Sequence, residues 1–199
     1  RDIALPVIVE GQARWWEIAA SPRFDGEGRF VGFRGVGSDV TEQRVTADRI
    51  ARMARFDTLT GLPNRSTLTD RIQHAIHVAR RQRSLFAILF MDLDGFKTIN
   101  DSLGHSAGDE VLSAFAQRLL LCVRASDTVA RLGGDEFVVL SENLDSREDA
   151  GTIAEGVLDR MRRGIWTDSQ PLQVMPSIGI ALYPHDGDSV DTLLKHADA

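Results

Sequence analysis

A single cysteine in 199 residues, Cys122, has no partner for a disulfide and no fellow thiolates for a zinc site, and it fits a reducing compartment. Long hydrophobic runs are missing too: the longest, Leu85 to Met91, is far too short to cross a bilayer. No leader pattern opens the sequence. These absences give the expectation of a soluble cytoplasmic protein, or the cytoplasmic part of a larger membrane-anchored one. Positive charge is not in excess either. The 23 Lys and Arg face 29 Asp and Glu, a net charge of −6. Residues 1–55 hold 9 basic and 8 acidic side chains, which leaves 14 and 21 for the remainder, net −7. A duplex-binding protein displaces counterions with a basic stripe, so a nucleic-acid polymer is not the expected partner. A single nucleotide held through a divalent metal stays compatible. No G-x-x-x-x-G-K-[ST] occurs, which removes a P-loop. Gly32, Gly35 and Gly37 lie in a strand pattern with no helix directly after, which removes a dinucleotide fingerprint.

What is present reads as two regions. Ile3–Glu10, Ala13–Ala20 and Phe30–Gly37 have strand character, separated by turns at Gly11-Gln12 and at Asp25-Gly26-Glu27-Gly28. Three strands alone make a poor core, so they read as the closing part of a larger domain. From Val40 the period changes to a polar helix with a thin apolar stripe of Val45, Ile50, Met53 and Ala54, suited either to connecting domains or to pairing with a copy of itself.

The rest alternates helix and strand. The spacing predicts a helix over about 66–82, a buried strand Leu85–Asp92, and helices over about 95–103 and 108–122. A hairpin follows, Thr128–Leu132 and Glu136–Leu140 around a Gly133-Gly134 turn. A helix over about 147–163, a strand over about 172–182 and a last helix from near Ser189 complete an α+β plan, helices on a mainly antiparallel sheet. Cys122 falls on the apolar stripe of Val111, Phe115 and Leu119 and reads as core. His74 and His77 share a helix without a third ligand and read as a solvated face.

Two motifs carry chemistry. Asp92-Leu93-Asp94 ends the most apolar strand, either as a solvated turn or as hard oxygen ligands at a sheet rim. Gly133-Gly134-Asp135-Glu136 joins two glycines, which let a backbone approach a ligand closely, to two acids. If the hairpin pairs beside Leu85–Asp92, then Asp92, Asp135 and Glu136 converge and could hold metal ions against a triphosphate.

With these motifs on view, residues 56–199 resemble the GGDEF diguanylate cyclase family, through DTLTGLPNR (57–65), FMDLDGFKTINDSLGHSAGD (90–109), RASDTVARLGGDEF (124–137) and SIGIALYP (177–184). The resemblance implies a sheet like the palm of nucleotide cyclases and polymerases. It implies condensation of two GTP molecules to cyclic di-GMP with Mg²⁺ or Mn²⁺, in a homodimer that brings two sites face to face. By this resemblance Asp92, the Leu93 carbonyl, Asp135 and Glu136 bind metal. Asp135 is the base toward a ribose 3′-OH, although the sequence leaves open which of Asp135 and Glu136 takes which part. Asn100 and Asp109, with His105 beside them, match the guanine contacts. Gly95, Phe96 and Lys97 match the phosphate cradle, and Gly133 and Gly134 are further substrate-binding positions. Arg124 and Asp127 match the R-x-x-D site at which product inhibits. The alternative is a non-catalytic module that binds GTP or cyclic di-GMP and controls an adjacent phosphodiesterase domain.

Residues 1–44 resemble the closing strands of a PAS sensor domain, through RWWEIAASPRFDGEGRFVGFRGVGSDVTEQR (14–44), and 45–55 then reads as a signalling helix. The GGDEF family pattern continues beyond an A-D pair with Y-x-A-K and G-R-N. This sequence stops at His196-Ala197-Asp198-Ala199, which gives the expectation of a piece of a longer protein.

Overall fold

A strand that is apolar at nearly every position must be covered on both faces, and Leu85–Leu93 (β4), with Asp92 its one polar residue, is such a strand. The computed structural model describes residues 3–166 and 171–199; residues 1, 2 and 167–170 lie outside the described residues. Two compact units divide the chain, Arg1–Met53 and Ala54–Ala199.

The first unit is an antiparallel sheet in the order β1 (Ile3–Val9), β2 (Gln12–Phe24), β3 (Phe30–Asp39), followed by α1 (Thr41–Met53). Asp39 opens the helix by accepting from the Thr41 amide (3.0 Å) and hydroxyl. The Arg44 guanidinium lies 4.2 Å over the Trp15 ring, which ties α1 to β2. None of the described side chains of this unit is fully buried, as expected of three strands without a second layer.

The second unit contains α2 (Arg65–Gln82), β4, α3 (Phe96–Leu103), α4 (His105–Leu120), β5 (Thr128–Gly133), β6 (Glu136–Leu144), α5 (Glu148–Met161), β7 (Ile165–Trp166), β8 (Pro171–Leu172), β9 (Pro176–Tyr183) and α6 (Val190–Ala197). Its main sheet runs β5-β6-β4-β9, antiparallel at each pairing. The period-two alternation of β4 sends Ala87, Leu89, Met91 and Leu93 into a core with α4 and α5. Phe86, Ile88 and Phe90 enter a second core with α2 and α6. This two-sided cover explains an apolar run that does not alternate with polar residues. Asn64 caps α2 by accepting from the Thr67 amide (3.1 Å), and Ser189 caps α6 in the same way with Thr192.

Three expectations need correction. Helix α4 begins at His105, three residues before Gly108, because Gly104 alone breaks the chain between α3 and α4; it ends at Leu120, before Cys122. The hairpin pairs Gly133 with Glu136, so its two turn residues are Gly134 and Asp135 rather than the glycine pair. The strand expected over 172–182 is divided: Pro171–Leu172 pairs with Ile165–Trp166, and β9 starts only at Pro176. Val174 between them is buried in the first core, which takes the chain off the sheet line. Cys122 is half-buried beside that core, and its thiol donates to the Arg118 carbonyl at 3.2 Å.

Candidate active site

The sheet places the acids. Asp92 is the direct cross-strand partner of Glu136 in the β4–β6 register, and Asp135 occupies the adjoining turn. Desolvation at the strand end, then the neighbouring charges of Asp135, Asp94 and Asp198, hold the Asp92 carboxyl above its ordinary value. The two acids of Asp92-Leu93-Asp94 are thereby told apart. Asp94 Oδ1 accepts from the Ser177 hydroxyl (2.7 Å), whereas Asp92 stands in register between Glu136 of β6 and Ser177 of β9. A cleft of about 270 Å³ opens beside Asp92, walled by Phe90, Ser177, Gly179, Ala197 and Asp198.

Among the described residues no three His, Cys, Asp or Glu side chains stand as a complete cation cage. Mg²⁺ does not need one, since it takes one or two carboxylates and fills its octahedron with water and substrate phosphates. The Asp92 carboxyl, raised by burial and by the charge of Asp135 beside it, would be relieved by a cation placed between the two. The donor set of Asp92, Asp135 and Glu136, with the Leu93 backbone at the strand end, therefore fits a hard divalent ion.

The hairpin tip is held from outside. Gly134 takes φ +52° at the first turn position, the conformation a type II′ hairpin demands of a glycine. Its carbonyl accepts from Arg131 Nε (3.0 Å) and Nη2 (2.7 Å), and Arg131 Nη1 binds Asp57 Oδ1 and Oδ2 at 3.0 and 3.1 Å. Arg65 reaches Glu136 Oε2 at 3.4 Å. Loop 57–64 is thus pinned to the turn that carries Asp135. Sequence reading passed over Arg131 and Asp57 as functional positions. Both stand in quoted motifs, but nothing in a linear pattern says that residues 74 apart share an ion pair.

The next segment positions a second set. Gly95, with φ +73°, starts α3 with no side-chain cap, which leaves the first-turn amides around Phe96 and Lys97 directed out of the helix end. Asn100, one turn on, has a buried Oδ1 without a hydrogen-bond partner, packed against Gly108 of α4. Asp109 opens into a cleft of about 420 Å³ with Leu59, Ser106, Glu110 and Ser113. His105 is exposed at the first position of α4. Leu59, which sequence reading missed, belongs to the pinned loop and walls that cleft.

Arg124 and Asp127 lie before β5. Both Asp127 oxygens are engaged, one by the Arg124 amide (2.9 Å) and one by the Ser141 hydroxyl (3.3 Å), while Arg124 is exposed. His74 and His77 are exposed on α2, and His77 meets Gln73 rather than His74. No helix among the described residues is long and apolar enough to cross a membrane.

Comparison with known proteins identifies the family. Residues 54–199 match the family model "Diguanylate cyclase, GGDEF domain". The chain is 47% identical over 152 residues to the bifunctional diguanylate cyclase/cyclic di-GMP phosphodiesterase MucR of Pseudomonas aeruginosa, covering 75% of this chain and 22% of MucR. It is 45% identical over 150 residues to the diguanylate cyclase TpbB of the same species, 75% of this chain and 34% of TpbB. A solved structure of the isolated TpbB GGDEF domain superposes with a TM-score of 0.70 at 46% identity, covering 72% of this chain and 84% of that one. The chain thus spans between a fifth and about a third of the length of these curated relatives. With the family model matching well over half of its length, the chain belongs to the GGDEF diguanylate cyclase domain family.

Proposed function

We propose that residues 56–199 form a diguanylate cyclase domain that condenses two GTP molecules into cyclic di-GMP and two pyrophosphates. One observation carries the reading: the β4–β6 register sets Asp92 opposite Glu136 and beside Asp135, where a buried strand ends. Asp92, the Leu93 carbonyl, Asp135 and Glu136 would hold Mg²⁺ or Mn²⁺, which when bound supplies charge stabilisation at the phosphates. The first-turn amides at Gly95, Phe96 and Lys97, with the open backbone of Gly133 and Gly134, bind the triphosphate. Asn100 and Asp109 present an amide and a carboxylate to the mixed donor and acceptor edge of guanine, next to His105. The buried, unpartnered Oδ1 of Asn100 is an acceptor that ligand binding would satisfy.

Asp135 accepts the proton of a ribose 3′-OH. The 3′-oxygen bonds to the α-phosphorus of the GTP held by a second copy, and the bond from that phosphorus to the leaving pyrophosphate breaks. The same exchange on the other side closes the ring. One domain holds one GTP, so catalysis needs a homodimer, and in-line positioning of the two substrates provides much of the acceleration. Arg124 and Asp127 form a site for product feedback, with the exposed guanidinium of Arg124 gripping guanine. Residues 1–44 are the closing strands of a PAS sensor domain and 45–55 a signalling helix.

The bifunctional relative MucR supports a second reading, a non-catalytic GTP- or cyclic di-GMP-binding module that controls an adjoining phosphodiesterase domain. The presence of all three acids favours catalysis. The full-length parent, incubated with GTP and Mg²⁺, is expected to make cyclic di-GMP, and Asp135→Ala is expected to abolish product with the fold retained. Unchanged turnover in that variant removes Asp135 from its role. GTP binding with no product from the parent selects the regulatory reading.

A further inference from the structure

The end of the sheet remote from the acids carries a second concentration of chemistry. From Leu85 to Asp92 strand β4 rises roughly 23 Å as an extended chain, so its start lies far from the candidate active site. At that start a cleft of about 340 Å³ is lined by Arg80, Arg83, Ser84, Leu85, Pro184 and His185. Its polar groups come from separate parts of the fold, Arg80, Arg83 and Ser84 from the end of α2 and the His185 imidazole from the segment after β9. The loop before α5 adds another, with Arg147 Nη2 within 3.0 Å of both ring nitrogens of His185.

The guanidinium groups of Arg80 and Arg83 are not spent on the protein, whereas Arg147 and His185 engage each other. Among the described residues, Arg80 and Arg83 have no carboxylate partner and the Ser84 hydroxyl no hydrogen bond, in a unit that is otherwise rich in acids. The acids next to His185 and Arg147 in the chain are committed or turned to solvent. Asp186 Oδ2 accepts from the Leu182 amide (2.7 Å), Asp149 accepts from the Asp145 and Ser146 amides, and Asp145 and Glu148 are exposed. The favourable field of a helix C-terminus accounts for cations on the last turn of α2, but not for Arg147 or His185. Arg83 also sits at φ +57°, a left-handed helix cap where glycine is the residue without strain, so a guanidinium is present at a position that backbone preference would give to glycine. The remaining wall is apolar: Ala79, Leu85, Pro184 and the buried Tyr183, which stacks on Phe86 at 4.8 Å.

Arg80, Arg83, Pro184 and His185 are exposed, so the cleft is open, and its apolar wall with a few cationic and hydroxyl groups, at the volume of a small organic ligand, suits a binding site. We propose that this cleft is a second ligand site, which takes the phosphate of a nucleotide-sized phosphomonoester between Arg80, Arg83, Ser84 and His185, with its organic part against Leu85 and Pro184. The proposal stands apart from cyclase activity, since it uses none of the residues assigned to GTP.

Adenosine 5′-monophosphate and adenosine serve as probes, titrated calorimetrically into the full chain in the absence of divalent metal. The monophosphate is expected to bind saturably at one site and adenosine about 10-fold or more weaker, the loss that follows from removing charge-assisted contacts. The double variant R80A/R83G is expected to weaken monophosphate binding by about 10-fold or more. Gly at position 83 suits the left-handed cap, so the melting temperature reports that the fold is kept. Asp135→Ala is expected to leave this binding unchanged, which separates the site from the proposed catalytic one. Equal binding of the two probes, no saturable binding, or undiminished affinity in R80A/R83G overturns the site.

Discussion

The Arg131 guanidinium spans the gap between loop 57–64 and the hairpin tip, with Nη1 3.0 Å from Asp57 Oδ1 and two further nitrogens on the Gly134 carbonyl. Its side chain is 11% exposed and that of Asp57 20%, so the pair is shielded from solvent screening. The turn residue Asp135 and the cleft-lining Leu59 hang from the two ends of this one contact. A loop with no regular structure of its own and a two-residue turn are thereby held as a single rigid support.

Arg131→Ala strands the Asp57 carboxylate in a mostly buried place and frees the Gly134 carbonyl. The expected loss is about 2–4 kcal/mol, read from urea unfolding of the domain. Arg131→Lys keeps the charge without the planar fork and should recover only part of it. Full recovery by lysine would show that charge alone, and not the forked geometry, holds the turn.

Acid should reveal the same contact. Burial pushes the Asp57 carboxyl up, but the Thr60 hydroxyl and amide together with Arg131 outweigh it and leave it below its ordinary value of 3.8. A carboxyl depressed in the folded state lends stability that is present above the unfolded value and fades as pH falls through the folded one. The stability of the parent should therefore drop below about pH 4, and Asp57→Asn should flatten that limb. The check is a series of unfolding curves from about pH 6 to 2; parallel acid limbs in parent and variant would count against it.

Asp92 has the opposite sign. Desolvation first, then Asp135, Asp94 and Asp198, raise its carboxyl above 3.8, so the folded state disfavours its charge. The stability linked to it is full below the unfolded value and lost as pH rises through the folded one. Asp92→Asn should melt higher than the parent near pH 7 without added metal, and should show no such gain near pH 3. Mg²⁺ should raise the melting temperature of the parent more than that of the variant, and product formation should fall by at least about 100-fold.

Gly108 lies inside α4, where alanine ordinarily adds helix stability. A β-carbon there would overlap Asn100 Oδ1 and come 3.2 Å from the Phe96 ring. The short Asn100 side chain can swing aside, so Gly108→Ala is expected to change the melting temperature little. The apparent KM for GTP should rise by about 10-fold, the worth of one displaced polar contact. A changed kcat with unaltered KM would place Asn100 outside substrate binding.

The elements of the second unit were largely legible because their periods are strong. The step of three and four in Leu68, Ile72, Ala75, Ile76 and Ala79 could only be one buried helix face, and the run Leu85–Met91 only a strand covered twice. Boundaries were less legible where a single residue decides them. Gly104 starts α4 early, and Val174, drawn into the core, cuts the expected long strand short. The hairpin shifted by one residue because pairing, rather than glycine content, decides which two residues make the turn.

Residue order alone determined the kind of chemistry available: acids at the end of a buried strand, acids beside paired glycines, and a cap without a side chain at Gly95. The partners were decided by tertiary structure. Only the β4–β6 register makes Asp92 and Glu136 neighbours, only the packing of loop 57–64 gives Arg131 its carboxylate, and only the approach of β9 to the end of β4 brings the Ser177 hydroxyl to Asp94. Electrostatic and hydrogen-bond energies depend on distances through space. Those distances follow from strand register and helix packing, which the order of residues along the chain does not contain locally.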